Sequence, residues 1–327
     1  MTRNAKLKRR VRSRCAKTGE SYTAALRHFR HTHDTPGFHS FPMAVAQTRF
    51  FDDPSDLPAL RASGAEMRDL MNKARLEGAR LLHFPEGTLC SPNKRIMSSL
   101  GRREIGPSDW SRCNWDAFRT EIEAIRALAG QLKLWTVFGA AHRLSEPHRP
   151  HNSLYVISDR GDLVTRYDER LLSNTKISFM YSPGKRPVTF EVDGFRFGCS
   201  LGMELHYPEV FIDYEQRDVD CVLFSTTGES PQTAFAAEAL GHAASNSYWL
   251  SFSAHTPQSI VMPSGIADPA GQWAARCPHS EHAVLAMAHI TIDPDSPAKP
   301  WRRKARSGLY AAFQIDGDPR SDETSLF

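Results

Sequence analysis

Residues 195–209 read F-R-F-G-C-S-L-G-M-E-L-H-Y-P-E, and this run constrains the fold more than any other in the chain. Phe195 to Leu201 is apolar and strand-like, a Gly turn follows, and a short polar segment ends in Tyr207-Pro208-Glu209. The pattern is a strand-to-helix elbow, a turn that presents a nucleophile where one is present.

Around the elbow, strand and helix patterns alternate. Pro42 to Gln47 is an apolar strand, Pro58 to Ala79 carries apolar residues at helical spacing (Leu60, Met67, Leu70, Met71, Ala74, Leu76), and Ala79 to Phe84 is a buried strand ending in Pro85-Glu86. A second helical pattern (Trp115, Phe118, Ile122, Ile125, Leu128) precedes the strand Leu134 to Ala140. Asn152 to Ile157 and Leu163 to Tyr167 form a hairpin about Asp159-Arg160-Gly161-Asp162. Beyond the elbow come a strand at Asp218 to Phe224, a helix at Ala234 to Asn246, a strand at Tyr248 to Ala254, and a turn signature from Ser264 to Gly271. Two similar halves of alternating strands and helices predict an α/β protein, a four-layer αββα sandwich with two central sheets and helices outside.

These landmarks together resemble the signature set of the nitrilase superfamily, the carbon-nitrogen hydrolases. The resemblance rests on Phe84-Pro85-Glu86, on Arg166 to Leu171, on the elbow, and on the late S-x-I-x-x-P-x-G run. It covers about residues 41–292. It implies a Glu-Lys-Cys catalytic set, with Glu86 as general base. Read without the resemblance, a single P-E-G is more commonly a loop or helix-capping carboxylate, and Glu86 has that alternative reading. Tyr167 and Pro208 fix the count at the other two positions: Glu169 stands at the lysine site, and Gly202, six residues before Pro208, stands at the cysteine site. Arg170 is expected on the opposite face of the strand, and Lys176 lies seven residues beyond the lysine position, so neither is expected to replace it. Cys199 sits inside the strand and is read as a buried structural thiol. The family's second, substrate-supporting glutamate falls near His142, which is equally a surface histidine at a strand end. Met203, Glu204 and Thr227 complete the expected substrate-binding residues.

A nitrile or amide carbon is a reluctant electrophile, so the family's chemistry uses a thiolate, a carboxylate that takes the proton and an ammonium that meets the developing negative charge. Gly202 supplies no nucleophile, and a carboxylate at 169 repels that charge. Three readings follow. The first is a non-hydrolysing homologue, a pseudoenzyme, that binds a small amide- or amine-like ligand or a partner. The second is a divergent C–N enzyme of amidase, nitrilase or condensation type in which Glu86 activates water. The third is metal-assisted chemistry on Glu86, Glu169, His142 and His206, whose spacing forms no ligand motif.

The 327 residues are 40% hydrophobic and 24% charged, enough for one large core or two modest ones. No apolar run reaches the length of a membrane span and the N-terminus lacks a secretory apolar core, so a cytoplasmic protein without membrane contact is expected. Six cysteines without C-x-x-C pairs read as reduced thiols. No cofactor or metal is expected; His28, His31, His33 and His39 are irregularly spaced and lack a ligand cluster. Residues 1–31 hold ten Lys or Arg against the single acid Glu20, whereas the remaining 31 basic and 36 acidic residues leave the rest slightly negative. This asymmetry divides the chain into a basic N-terminal extension (1–38) carrying a short helical pattern at Tyr22 to Phe29, a nitrilase-like domain (39–295) and a C-terminal tail (296–327). The extension reads either as a nucleic-acid or acidic-partner contact or as a solvated arm. The resemblance also implies a homodimer or larger homo-oligomer.

Overall fold

The computed structural model describes residues 8, 11–16, 22, 40–228, 234–293, 295–315 and 317–321. It divides into two compact units, residues 40–291 and the combination of 1–39 with 292–327. The helical pattern expected between Tyr22 and Phe29 lies outside the described residues except for Tyr22, as do His28, His31, His33 and His39.

In the larger unit β1 (Ser40–Gln47) is followed by α1 (Leu57–Leu76), whose start is set by Asp56: its side chain accepts from the Ala59 N–H at 3.0 Å, and Pro58 sits in the first turn. Leu60, Met67, Leu70, Met71 and Ala74 form its buried stripe, and Gly78 at φ +92° ends it. Strand β2 (Leu81–His83) leads into the loop that carries Glu86. Helix α2 (Trp115–Leu132), capped by Asn114, precedes β3 (Trp135–His142), β4 (His151–Ile157) and β5 (Leu163–Asp168). These strands make a mixed six-stranded sheet in the order β12-β1-β2-β3-β4-β5, closed by β12 (Val284–Thr291) antiparallel to β1.

The second sheet contains β6 (Thr189–Val192), β7 (Phe195–Leu201), β8 (Cys221–Ser225), β9 (Trp249–Ser253), β10 (Gly265–Ala267) and β11 (Trp273–Arg276), in the order β11-β10-β9-β8-β7-β6. Its central strands β7, β8 and β9 are parallel and buried throughout or nearly so, as expected for strands covered on both faces. Helices α3 (Pro208–Gln216) and α4 (Ala234–Asn246) pack on it through Phe211, Tyr214, Ala239 and Ala243. Phe41 of β1 meets Phe195 and Phe197 of β7 at ring-centroid distances of 5.2 and 5.4 Å, joining the two sheets face to face. The α/β sandwich anticipated from the alternating pattern is the architecture observed.

The smaller unit includes a helical stretch at 11–16 and the basic helix α5 (Ala298–Arg306). Among the described residues no helix is long and apolar enough to cross a membrane.

One close approach fixes the loop that carries Glu86. Gly139 on β3 faces that loop: a Cβ added there would lie 2.2 Å from the Gly87 nitrogen and 2.6 Å from the Pro85 oxygen. Gly139 N–H also donates to the Pro85 carbonyl at 3.2 Å. Gly139→Ala is therefore expected to lower stability by about 1–3 kcal/mol, since backbone must move to admit the methyl. Urea denaturation measures it, and an unchanged midpoint would contradict this packing.

Candidate functional site

Glu86 leaves the end of β2 on a turn in which Gly87 adopts φ +57° and Thr88 Oγ1 donates to the Pro85 carbonyl at 2.5 Å. His255 fixes the backbone from the second sheet, its Nε2 lying 2.8 Å from the Glu86 carbonyl oxygen. Glu169 follows β5 directly; its N–H donates to the Asn152 carbonyl at 2.9 Å, and its own carbonyl accepts from Gly184 N–H at 2.8 Å. Asn152 enters from β4. Its Nδ2 donates to Glu86 Oε1 at 2.7 Å and to Glu169 Oε2 at 2.5 Å, so one amide bridges both carboxylates.

The fourth member is Lys176. Its ammonium donates to Glu86 Oε1 and to Glu169 Oε1 and Oε2, the last two at 3.1 and 2.8 Å. Lys176, expected to lie too far along the chain, does reach the site. Residues Lys176–Met180 form a π-helical turn, which folds the chain back over the site. The turn is tied down at several points. Trp110 Nε1 donates to the Met180 carbonyl at 2.9 Å, Ser108 N–H to Phe179 at 2.9 Å, and Arg149 Nη2 to Ile177 at 2.8 Å. Arg170 turns elsewhere, donating through Nε to the Tyr167 hydroxyl at 3.1 Å.

Gly202 opens the 3-10 turn after β7 at φ +56°. A Cβ built there would stand 2.4 Å from Glu169 Oε1 and 2.8 Å from Lys176 Nζ. Position 202 thus faces the cluster, but the ammonium and carboxylate take the space a side chain would need. Glu86 completes its bonds through Oε2, which accepts from Thr227 N–H at 2.9 Å. Thr227 adjoins the site through its backbone.

Glu204 does different work from that expected. It is fully buried, and its two oxygens accept from the Tyr167 hydroxyl, Ser200 Oγ and the N–H groups of Arg170, Leu171 and Leu201. Saturated by protein donors, it clamps the elbow to the end of β5, and Met203 beside it is half-buried on the same turn. His142 belongs to a separate cluster, with Nδ1 2.7 Å from the Tyr155 hydroxyl and Nε2 2.7 Å from Arg166 Nη1. Burial, with the Arg166 charge next, pushes its imidazole down to about 4. His206 pairs with Glu238 at 2.9 Å. The two histidines and two glutamates considered as a metal set therefore do not converge, and among the described residues no group of three or more His, Cys, Asp or Glu is arranged to hold a metal ion. Cys199 shares a strand face with Phe197, fully buried, and burial pushes its thiol up.

The cluster is nearly dry, with the side chains of Glu86, Glu169 and Lys176 exposed by 3, 0 and 17%. Burial pushes the Glu169 carboxyl up to about 8; Lys176 opposes that rise, and Glu86 and Glu204 add to it. Burial alone would lower the Lys176 ammonium, but Glu169 and Glu86 outweigh it and hold lysine above its ordinary value.

The carbon-nitrogen hydrolase family profile matches residues 44–295, and the chain belongs to that family. Among solved structures, a mutant of Nesterenkonia AN1 amidase from the nitrilase superfamily superposes with a TM-score of 0.67 at 16% identity, covering 86% of this chain and 99% of that one. An amidase from Nesterenkonia sp. gives 0.67 at 16% identity over 86 and 98%. A third, an amidase mutant from Nesterenkonia sp. AN1 showing covalent addition of the acetamide moiety of fluoroacetamide at its active site cysteine, gives 0.66 at 16% over 86 and 98%. No curated protein matches the chain.

A carboxyl raised on folding keeps a proton in the native state that the unfolded chain has released. Stability accordingly falls as pH rises from the ordinary carboxyl range towards 8, by at most about 1.4 kcal/mol per pH unit. Glu169→Gln is neutral at every pH and is expected to flatten that slope. Denaturant midpoints across this window test it, and equal slopes in the two proteins would contradict the assignment.

Proposed function

We propose that this carbon-nitrogen hydrolase family member binds a small amide- or amine-like ligand, or a partner, without hydrolysing it. The observation that carries the reading is at position 202: glycine stands at the elbow, and the Lys176 ammonium lies against the place a side chain would take. The Nesterenkonia amidase named above carries its adduct on an active site cysteine. Gly202 has no atom that can form such a bond, and Cys199 is held in the strand as a buried thiol. Glu86 is equally committed, both of its oxygens accepting from protein donors.

One observation favours a second reading. Lys176 restores a cation beside Glu86, so a carboxylate and an ammonium flank the elbow as the family's chemistry requires. In that reading Glu86 activates water for direct attack on a C–N substrate, without a covalent intermediate. Self-association as a homodimer or larger homo-oligomer, contact of the basic residues 1–31 with nucleic acid, and a cytoplasmic location belong to the same proposal, on the grounds of family resemblance and charge.

Ammonia release from a panel of amides, nitriles and carbamoyl compounds separates the two readings. Binding without turnover predicts that the protein and Glu86→Gln both stay at the uncatalysed background. Release that depends on Glu86 would overturn it in favour of the water-activating enzyme.

A further inference from the structure

We infer that the space between the Glu86 and Glu169 carboxylates is a receptor for one primary ammonium group, and that the Lys176 side chain is its tethered occupant, closing the site to external amines. This rests on the non-hydrolysing reading above and narrows it: with Lys176 seated, this site takes no external amine, which leaves an amide-like ligand or a partner.

The inference rests on how the ammonium is seated. A primary ammonium has three N–H donors, and Lys176 Nζ has three acceptors within reach: Glu86 Oε1, Glu169 Oε1 and Glu169 Oε2. The Asn152 amide holds those two carboxylates together from β4, and Thr227 N–H fixes the remaining Glu86 oxygen. The receptor is therefore organised by groups other than the lysine. Independently, the absence of a side chain at Gly202 makes room for the ammonium. Nζ lies 2.8 Å from where a Cβ at 202 would be, so the occupant fills the side of the pocket from which the elbow would present its side chain. Glycine at 202 leaves the room in which the Lys176 ammonium and the Glu169 carboxylate stand this close to the elbow. A quaternary ammonium has no N–H donor and cannot satisfy the three oxygens.

Lys176→Ala removes three methylenes and the amine, the atoms of n-propylammonium. Thermal unfolding of the full-length variant is followed with n-propylammonium chloride, tetramethylammonium chloride or potassium chloride at equal ionic strength. The variant is expected to melt about 5 °C or more below wild type, because the buried Glu86–Glu169 pair has lost its cation. n-Propylammonium is expected to return at least half of that loss, and the other salts none; wild type responds to none of the three. Rescue by tetramethylammonium equal to that by n-propylammonium, or by neither, would overturn the inference. So would a variant as stable as wild type. Should Lys176→Ala not fold, refolding from denaturant reads the same point: recovery only with the primary ammonium supports the receptor, and recovery with no salt overturns it. Because the readout is stability, its failure is distinct from Glu86-dependent ammonia release, which would overturn the binding reading itself.

Discussion

One ammonium shared between two buried carboxylates governs how the rest of the site is arranged. In a nearly dry setting two ionised carboxyls cannot lie side by side uncompensated, and removing their single cation leaves charge unpaired at a cost of about 3–5 kcal/mol. Lys176 supplies that cation, and Asn152 adds a neutral bridge between Glu86 and Glu169. The raised Glu169 carboxyl is the remainder of the same balance: with one positive and two potentially negative groups, a retained proton brings the cluster to neutrality.

The surrounding fold serves this balance by fixing each partner's backbone. His255 reaches from the second sheet to the Glu86 carbonyl, Gly139 lets β3 run close beneath the Glu86 loop, and Glu204 pulls the elbow against the end of β5. Each of these residues acts through geometry. The elbow survives, with its strand, its turn at positive φ and the helix begun by Pro208, although the position it would present is a glycine. The turn at positive φ thus carries Gly202 directly against the ion cluster.

Much of the fold was legible because its elements carry period and punctuation. The stripe from Leu60 to Ala74, the Asp159 to Asp162 turn and the apolar runs at β7, β8 and β9 appear as strands and helices where the patterns place them. Glu86, Glu169 and Gly202 were legible as one site because each stands at a short count from a motif residue, Pro85, Tyr167 and Pro208, just past the end of a strand. Lys176 was not. Counting beyond Glu169 assumes the strand continues, whereas the chain leaves β5 and winds into a π-helical turn whose i→i+5 hydrogen bonding matches neither helix nor strand templates. Glu204 misled for a related reason: a carboxylate beside an elbow reads as substrate-facing until its five donors are seen.

The central claim is that Lys176 is a buried, permanently charged ammonium between Glu86 and Glu169. Nitrogen NMR of protein labelled at the lysine side-chain amines tests it most directly, with the resonance assigned by its loss in Lys176→Arg. The account predicts one slowly exchanging ammonium signal that stays protonated after the exposed lysines have titrated, in keeping with a value held above the ordinary one. A Lys176 signal that titrates together with the surface lysines, or exchanges as fast as they do, would contradict it.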